Sequence, residues 1–316
     1  MPKFSVIIPL YNKAQHIYNT LICVCQQSYS DFEIIVVNDG STDNSLEETN
    51  RITDQRLRVF DKKNEGVSQT RNFAMRQAKG DFFAFLDADD VWLPNHLHNL
   101  NQLITQYPDC GLYCTNYSFD YGNSYSVAPI FPTLPTDQIW QGIVSDFFKA
   151  SMLYRIAWTS AVAIPRTINS EVGFFNESIT LGAGEDTEYW SRIALSKPVA
   201  FTKKQTAIYN VDAVNRISKI AASKRKHMTF ELFKEHEQHN SSLKKFNDMY
   251  RIEYAIRHKM SGNNSLFNYY TKDLDYATIA LKDQILLKLP QQVLVALWHI
   301  KQLGKQLKQR VFIRFK

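Results

Sequence analysis

Residues 82–90 read Phe82-Phe83-Ala84-Phe85-Leu86-Asp87-Ala88-Asp89-Asp90: five apolar residues in a row, then three carboxylates within four positions. An unbroken apolar run of this length marks a strand buried on both faces, and such strands belong to parallel sheets covered by helices. The same pattern precedes it. Phe4–Pro9 and Phe32–Val37 are β-branched apolar runs, a shorter run lies near 57–60, and helical spacing over 14–27, 44–54 and 66–79 separates them. This alternation predicts an α/β fold with a Rossmann-like, mostly parallel central sheet and helices on both faces. Ligands in such sheets sit beyond the carboxyl ends of the strands. The polar residues fall there: Tyr11-Asn12 after the first strand, Asp39 after the second, Asp87-Ala88-Asp89-Asp90 after the fourth.

Between about 120 and 212 the pattern is mixed. Pro129, Pro132 and Pro135 mark a loop, Gln138–Ala150 reads as a helix, and Gly182-Ala183-Gly184-Glu185-Asp186 opens a helical stretch over Thr187–Ala194. Beyond 213 the strands disappear, and 219–239, 243–260, 272–288 and 291–310 read as helices. The expected organisation is therefore a sheet-bearing domain over 1–212 and a basic, mainly helical region over 213–316. Charge follows the same division. The net charge of +6 hides 17 Lys+Arg against 23 Asp+Glu in residues 1–212, and 20 against 8 in residues 213–316. An acidic body joined to a basic tail predicts different partners for the two parts.

Composition excludes several classes. With 316 residues, 44% hydrophobic and 22% charged, the chain can bury a large core and need not be disordered. Eleven Gly and ten Pro exclude collagen-like character, and no fixed-period repeat is visible. The opening apolar stretch is too short for a secretory signal and stops at Pro9. No window reaches the ~18 uncharged apolar residues of a membrane span, so the expected location is cytoplasmic. Cys23, Cys25, Cys110 and Cys114 lack zinc-site spacing and read as reduced thiols.

Two carboxylates directly after an apolar strand repel each other unless they share a cation or are solvated. Asp87-Ala88-Asp89 thus reads either as a small oxygen site for Mg²⁺ or Mn²⁺, which take only one or two protein carboxylates alongside phosphate oxygens, or as a loop in which Asp89 or Asp90 caps the next helix. Three segments precede it in order: Ser5-Val6-Ile7-Ile8-Pro9-Leu10-Tyr11-Asn12, Val36-Val37-Asn38-Asp39-Gly40-Ser41-Thr42-Asp43, and Asn64-Glu65-Gly66-Val67-Ser68-Gln69-Thr70-Arg71-Asn72. With Asp87–Asp90 this ordered set resembles the family 2 inverting glycosyltransferases of GT-A fold, in the single-addition form found in bacterial polysaccharide and lipopolysaccharide synthesis. The match covers roughly residues 4–95, and Glu185-Asp186 extends it to about 195.

The resemblance implies a role for each matching residue. Tyr11 would lie against the uracil of a UDP-sugar with Pro9 shaping the wall, a stacking worth ~1–3 kcal/mol per base. Asp39 would accept from the uracil imide, and Arg71 would sit near the base or the phosphates. Asp87 and Ala88 would face the ribose and metal side. Asp89, with Asp87, would hold the divalent cation on the diphosphate. Glu185 would contact the acceptor, and Asp186 would be the base that takes the acceptor hydroxyl's proton. Structural uses stand beside these: Tyr11 as a core aromatic, Asp39 in a turn before Gly40, Arg71 in a surface salt bridge, Asp186 capping the helix at Thr187. Asp43 is read simply as a cap.

The family's processive members carry a Gln-x-x-Arg-Trp segment and flanking transmembrane helices. Neither is in this sequence, so the resemblance implies transfer of one sugar to a glycan or lipid-linked glycan. Tyr209–Ser218 resembles the loop that closes over the donor, with Arg216 or Ser218 touching the diphosphate. Two other classes compete. A sugar nucleotidyltransferase needs a Gly-rich loop where Pro9-Leu10-Tyr11-Asn12 stands, and a non-catalytic binding protein has no use for both acidic pairs. No nucleic-acid module is recognisable in the tail. There Val293, Leu297, Ile300, Leu303, Leu307 and Val311 recur at helical spacing beside Lys301, Lys305 and Lys308, and residues 290–316 hold six Lys+Arg and no acid. Such a helix suits an anionic membrane surface at ~1 kcal/mol per cation, and it suits equally well packing of its stripe on the body.

Overall fold

The computed structural model describes residues 1–122, 125–213 and 224–301. In chain order β1 (Phe4–Leu10), α1 (Ile17–Cys25), β2 (Phe32–Asp39), α2 (Ser45–Asn50), β3 (Leu57–Lys62), α3 (Val67–Gln77) and β4 (Phe82–Phe85) alternate. Then follow β5 (Val91–Trp92), α4 (His96–Gln106), β6 (Leu112–Asp120), β7 (Ser126–Val127) and β8 (Gln141–Ile143). Next come α5 (Phe147–Ala150), β9 (Val162–Pro165), α6 (Ile168–Val172), α7 (Glu185–Ser196) and β10 (Val199–Asn210). These elements belong to one compact unit, which also includes Arg225–Met228; a second unit takes Lys224 and the chain from Thr229.

The strands form one sheet in the order β3-β2-β1-β4-β9-β6-β10-β5, with β7 on β6 and β8 on β10. β3, β2, β1 and β4 are mutually parallel. Beyond β4 the pairing is mixed, because β9 runs antiparallel to both β4 and β6 while β6 and β10 are parallel. The chain goes from β1 outward to β2 and β3, then returns to β4 on the other side of β1. That reversal opens a crevice at the carboxyl ends of β1 and β4. Register fixes what borders it: Leu10 pairs with Asn38 and Ile7 with Phe85, so the segments starting at Tyr11, Asp39 and Leu86 emerge along one edge.

Burial explains why these segments are strands. Every residue of β2 is buried, and so is every residue of β1 except Pro9. On α1 the buried Ile17, Thr20, Leu21 and Val24 follow the i, i+3, i+4, i+7 spacing of a single face. Phe4, Val6 and Ile8 of β1 join Leu21, Val24, Ile34, Val36, Leu97 and Leu100 in one core, and each such side chain stabilises the fold by about 1.5–3 kcal/mol when fully buried. All four cysteines are free. Burial pushes the Cys23 thiol up to about 12, so it stays protonated at neutral pH.

Three sequence expectations are corrected. Gln138–Ala150 is not one helix: Gln141–Ile143 pairs antiparallel with β10, and the helix starts only at Phe147, where the Asp146 carboxylate accepts the Lys149 N–H. The span 272–288 is helical only over Leu281–Lys288, and Asn264–Thr271, unanticipated, is helical instead. Within 219–239 residues 225–230 are not helical, and helix begins again at Glu231. In the second unit α8 (Lys234–His239), α9 (Ser241–Met260), α10 (Asn264–Thr271) and α11 (Leu281–Lys288) are followed by helical residues 291–301. Its interior holds Arg251, bonded to Asp248 at 2.8 Å and Glu237 at 2.8 Å, with its guanidinium over Phe230. Among the described residues no helix is long and apolar enough to cross a membrane. Leu303, Lys305, Leu307, Lys308, Val311, Arg216 and Ser218 lie outside the described residues.

Candidate active site

A cleft of about 400 Å³ opens at the crevice, and Pro9, Tyr11, Asp39, Arg71, Asp87, Ala88, Asp89 and Glu185 all line it. Five segments, from Pro9 to Glu185, thus converge. Asp186 does not line this cleft. It stands one residue further into α7, with Arg155 Nη1 3.2 Å and Thr159 Oγ1 3.4 Å from its Oδ2.

The floor is tied together by side chains that bond backbone. Asn12 takes a positive φ of 52°, which Asn tolerates better than most residues. Its Oδ1 accepts from Thr42 N at 2.8 Å, while its own N–H donates to Ser41 Oγ at 3.0 Å. The loop after β1 is thereby pinned to the loop after β2. Asp43 is not the cap expected of it, since Asn44 occupies that position; it accepts instead from Ser45 N at 3.0 Å and from Ala14 N at 3.2 Å, tying the two loops together. Gly40, at φ 66°, follows Asp39 where a Cβ would lie 2.8 Å from Asn64 N. Only glycine fits such a turn.

Asp39 is almost fully buried and does more than turn the chain. Its Oδ1 accepts from Lys62 Nζ at 2.5 Å and Glu65 N at 3.0 Å, and its Oδ2 accepts from Gly66 N at 2.9 Å. Tyr11 is not a core aromatic, since 42% of it is exposed at the cleft wall. Across the cleft Trp158 and Tyr209 pack with ring centroids 4.4 Å apart.

The acidic loop carries its own counter-ions. Arg71, on α3, is 3% exposed, which excludes a surface salt bridge. Its Nη2 donates to Asp87 Oδ1 at 2.8 Å and its Nη1 to Glu185 Oε1 at 3.3 Å, with Phe175 beneath the guanidinium. Lys13 Nζ lies 2.6 Å from Asp89 Oδ2. Asp90 is wholly buried with no cationic partner among the described residues, accepting from Ser160 Oγ at 2.5 Å and from Asn210 N at 3.2 Å. Burial first, then the charges of Asp89 and Asp87, push its carboxyl well above the ordinary range. Neither Asp89 nor Asp90 caps α4, whose cap position is Asn95.

Gly184, at φ 104°, turns the chain into α7, so Glu185, Asp186 and Glu188 fall in the first turn, where the helix dipole favours negative charge. Glu185 is buried, and its Oε2 has no hydrogen-bond partner among the described residues. Burial, reinforced by Asp186, raises its carboxyl above the ordinary glutamate value despite Arg71. Asp186 shifts the other way. Burial alone would raise it, but Arg155, Arg71 and the Thr187 N–H, 2.7 Å from its Oδ1, outweigh burial and hold it below the ordinary range. Two adjacent carboxyls driven apart in this way are equipped for different tasks. Lys13, Lys62, Arg155 and Ser160 carry no sequence signal of their own, because their partners are 76, 23, 31 and 70 residues away.

A compact α/β unit with carboxylates gathered at the topological switch of its sheet matches one class of known proteins. The sequence profile of Glycosyl transferase family 2 matches residues 5–162, and the chain belongs to that family. An uncharacterized glycosyltransferase of Rickettsia felis is 28% identical over 207 residues, 64% of this chain and 32% of its own length. Glycosyltransferase GlyG of Streptococcus pneumoniae serotype 4 is 34% identical over 123 residues, 38% of this chain and 40% of that protein. The chain thus spans about a third of the Rickettsia relative. Among solved structures, S. aureus TarS 1–349 in complex with UDP-GlcNAc superposes with a TM-score of 0.57 at 18% identity, covering 90% of this chain and 78% of that one. The mannosyltransferase PcManGT of Pyrobaculum calidifontis, with GDP-Man and Mn²⁺, does so at 0.54 and 16% identity, covering 96% and 81%. These likenesses establish the GT-A fold.

Proposed function

We propose that the chain is a metal-dependent glycosyltransferase that moves one sugar from a UDP-sugar to a hydroxyl of a glycan or lipid-linked glycan, with inversion at the anomeric carbon. The observation that carries this is the convergence on one cleft of an exposed aromatic, a buried carboxylate, the Asp87-Ala88-Asp89 loop and the acidic N-terminus of α7. Glycosyltransferase relatives, and fold neighbours solved with UDP-GlcNAc and with GDP-Man and Mn²⁺, support the donor class.

Asp39 supports uridine over guanosine. A carboxylate has about four lone-pair sites, and Lys62, Glu65 N and Gly66 N take three of them. The one left on Oδ2 suits the single imide N–H of uracil, whereas guanine presents two donors on its Watson–Crick edge and would leave one unpaired.

Asp87 and Asp89 fit a divalent cation. Each already holds a positive group, and two carboxylates leave room for phosphate and water oxygens, as Mg²⁺ and Mn²⁺ prefer. Bound there, the cation would supply charge stabilisation for the departing diphosphate. Tyr11 and Asp39 orient the base. Asp186 takes the proton of the acceptor hydroxyl as its oxygen forms the new bond to the anomeric carbon. The bond from that carbon to the diphosphate breaks, and the nucleotide leaves with the electron pair. Thr159 and Arg155 fix the Asp186 carboxylate for this, and Glu185, bonded to Arg71, holds the helix start against the acidic loop.

Incubating the chain with UDP-, GDP- and dTDP-sugars, with Mn²⁺, with Mg²⁺ and with chelator, tests the reading. We expect metal-dependent sugar release from a UDP-sugar at least ~10-fold above the GDP-sugar, the equivalent of one unpaired donor. A GDP-sugar preference overturns the Asp39 argument, and no release from any donor favours a non-catalytic nucleotide- or glycan-binding protein.

The basic tail bears on the place of work. Val293, Leu297, Trp298 and Ile300 are each more than 40% exposed beside Lys301, and we propose that this helix rests on an anionic membrane carrying the acceptor. The full chain should cosediment with anionic but not neutral vesicles, and a chain truncated after residue 290 should stay in solution. Equal sedimentation of the two forms would exclude it.

A further inference from the structure

Two buried hydroxyls hold the acidic loop. Thr20 Oγ1, on α1, donates to the carbonyls of Ala88 at 3.1 Å and Asp90 at 2.9 Å. Ser160, two residues before β9, takes the loop at three points. Its Oγ accepts from Asp87 N at 3.1 Å and donates to Asp90 Oδ2 at 2.5 Å, and its carbonyl accepts from Trp92 Nε1 at 2.6 Å. A hydroxyl has one donor and two acceptor sites, so this single group bonds the first and the last acid of the run at once. Asp90 N closes the turn on Asp87 O at 3.0 Å. Ser160 and Asp90 are 1% and 0% exposed, whereas Asp87 and Asp89 line the cleft. The inward bonds therefore decide which acids of the run face the cleft and how far apart they stand.

Resting on the metal-dependent reading above, we propose that Ser160 is a positioning residue for the divalent cation: without touching the ion, its hydroxyl sets the spacing and direction of the Asp87 and Asp89 carboxylates. Groups that orient the ligands of a metal typically contribute ~10–100-fold to its affinity. The effect depends on the ion. Mg²⁺ demands near-ideal octahedral geometry, whereas Ca²⁺ accepts a flexible shell of oxygens. A loop that has lost its Ser160 bonds should consequently lose Mg²⁺ more than Ca²⁺. Loss of folded protein, by contrast, removes sites for both ions in the same proportion.

The test measures Mg²⁺ and Ca²⁺ affinity by calorimetry with UDP present, for the wild-type chain, Ser160→Ala and Ser160→Cys. UDP binding in chelator checks the nucleotide wall formed by Tyr11 and Asp39. Ser160→Ala is expected to weaken Mg²⁺ by roughly 10-fold or more and Ca²⁺ by much less, with UDP binding in chelator unchanged. Ser160→Cys has similar size and a weaker donor, so it should fall between alanine and wild type, and it decides the matter if the alanine variant does not fold. Equal weakening of the two ions, weakening of UDP in chelator, or an unchanged Mg²⁺ affinity each overturns the proposal and leaves the metal-dependent reading standing. If the wild-type chain binds neither ion with UDP present, the proposal falls, and a parallel titration with Mn²⁺ decides whether the metal-dependent reading falls with it.

Discussion

Asp186→Asn is expected to lower the transfer rate by a factor of about 10²–10⁴, the usual contribution of a positioned base, while UDP binding is unchanged. Asparagine keeps the size of the side chain, its Oδ1 can still accept from Thr187 N and its amide can donate to Thr159 Oγ1, so the start of α7 should survive. What it loses is the capacity to take a proton. Glu185 does not substitute for it: burial raises its carboxyl, and its ionised form is committed to Arg71. Asp186 is held ionised by Arg155 and Arg71, which makes it the carboxylate available as a base at neutral pH. The same argument fixes the sign of a second measurement. Removing the Arg155 cation lets burial dominate and raises the Asp186 carboxyl, so the acid limb of the kcat/KM profile of Arg155→Met should move to higher pH. An Asp186→Asn chain that transfers sugar at the wild-type rate would sink the assignment, and an unmoved acid limb in Arg155→Met would show that Asp186 is not the group being titrated.

What the sequence disclosed and what it hid follow from the range of the forces involved. β1, β2 and β4 were legible because complete burial demands an unbroken apolar run, and the chemistry at their ends was legible because a parallel sheet puts all those ends on one edge. Gln138–Ala150 misled because Gln141–Ile143 is a strand by virtue of pairing with β10, some sixty residues away, and three residues contain no period. The antiparallel return of β9 between β4 and β6 is likewise a tertiary fact. In the site, the carboxylates announced themselves as a run after an apolar strand, but their cations did not. Arg71, expected beside the nucleotide, lines the cleft and also bridges two carboxylates, a role hidden from the sequence because only the folded chain brings Glu185 within 3.3 Å of it. Asp90 was legible as the third acid of a run, and its burial on Ser160 was not.

Arg71 is therefore the residue whose removal should cost the fold most. Its guanidinium is the neutralising partner of Glu185 and of Asp87, with Asp186 also near enough to feel its charge. Arg71→Met would fill much of the space but leave Glu185 buried and unpaired. Breaking a buried ion pair from one side typically costs about 3–5 kcal/mol, a large share of the roughly 5–15 kcal/mol that holds a domain together. Trp190 packs against Phe175 at 5.5 Å, the same ring that lies under Arg71, so its fluorescence in urea should follow the loss. Glu185→Gln on top of Arg71→Met removes the stranded charge and should recover a substantial part of the stability; simple additivity of the two changes would mean that no such coupling exists. The pH dependence has a definite sign. In the variant, Glu185 has a folded-state carboxyl raised by burial, with no cation to oppose it, so the folded state binds its proton more readily than the unfolded chain does. Stability from that proton is complete below the ordinary glutamate range and is lost as pH rises through the raised value. The deficit of Arg71→Met should accordingly shrink as the solution is acidified from neutral pH, and Arg71→Met/Glu185→Gln should show no such recovery. A deficit that stays constant with pH in the single variant would mean that Arg71 stabilises the fold by packing on Phe175 rather than by neutralising Glu185.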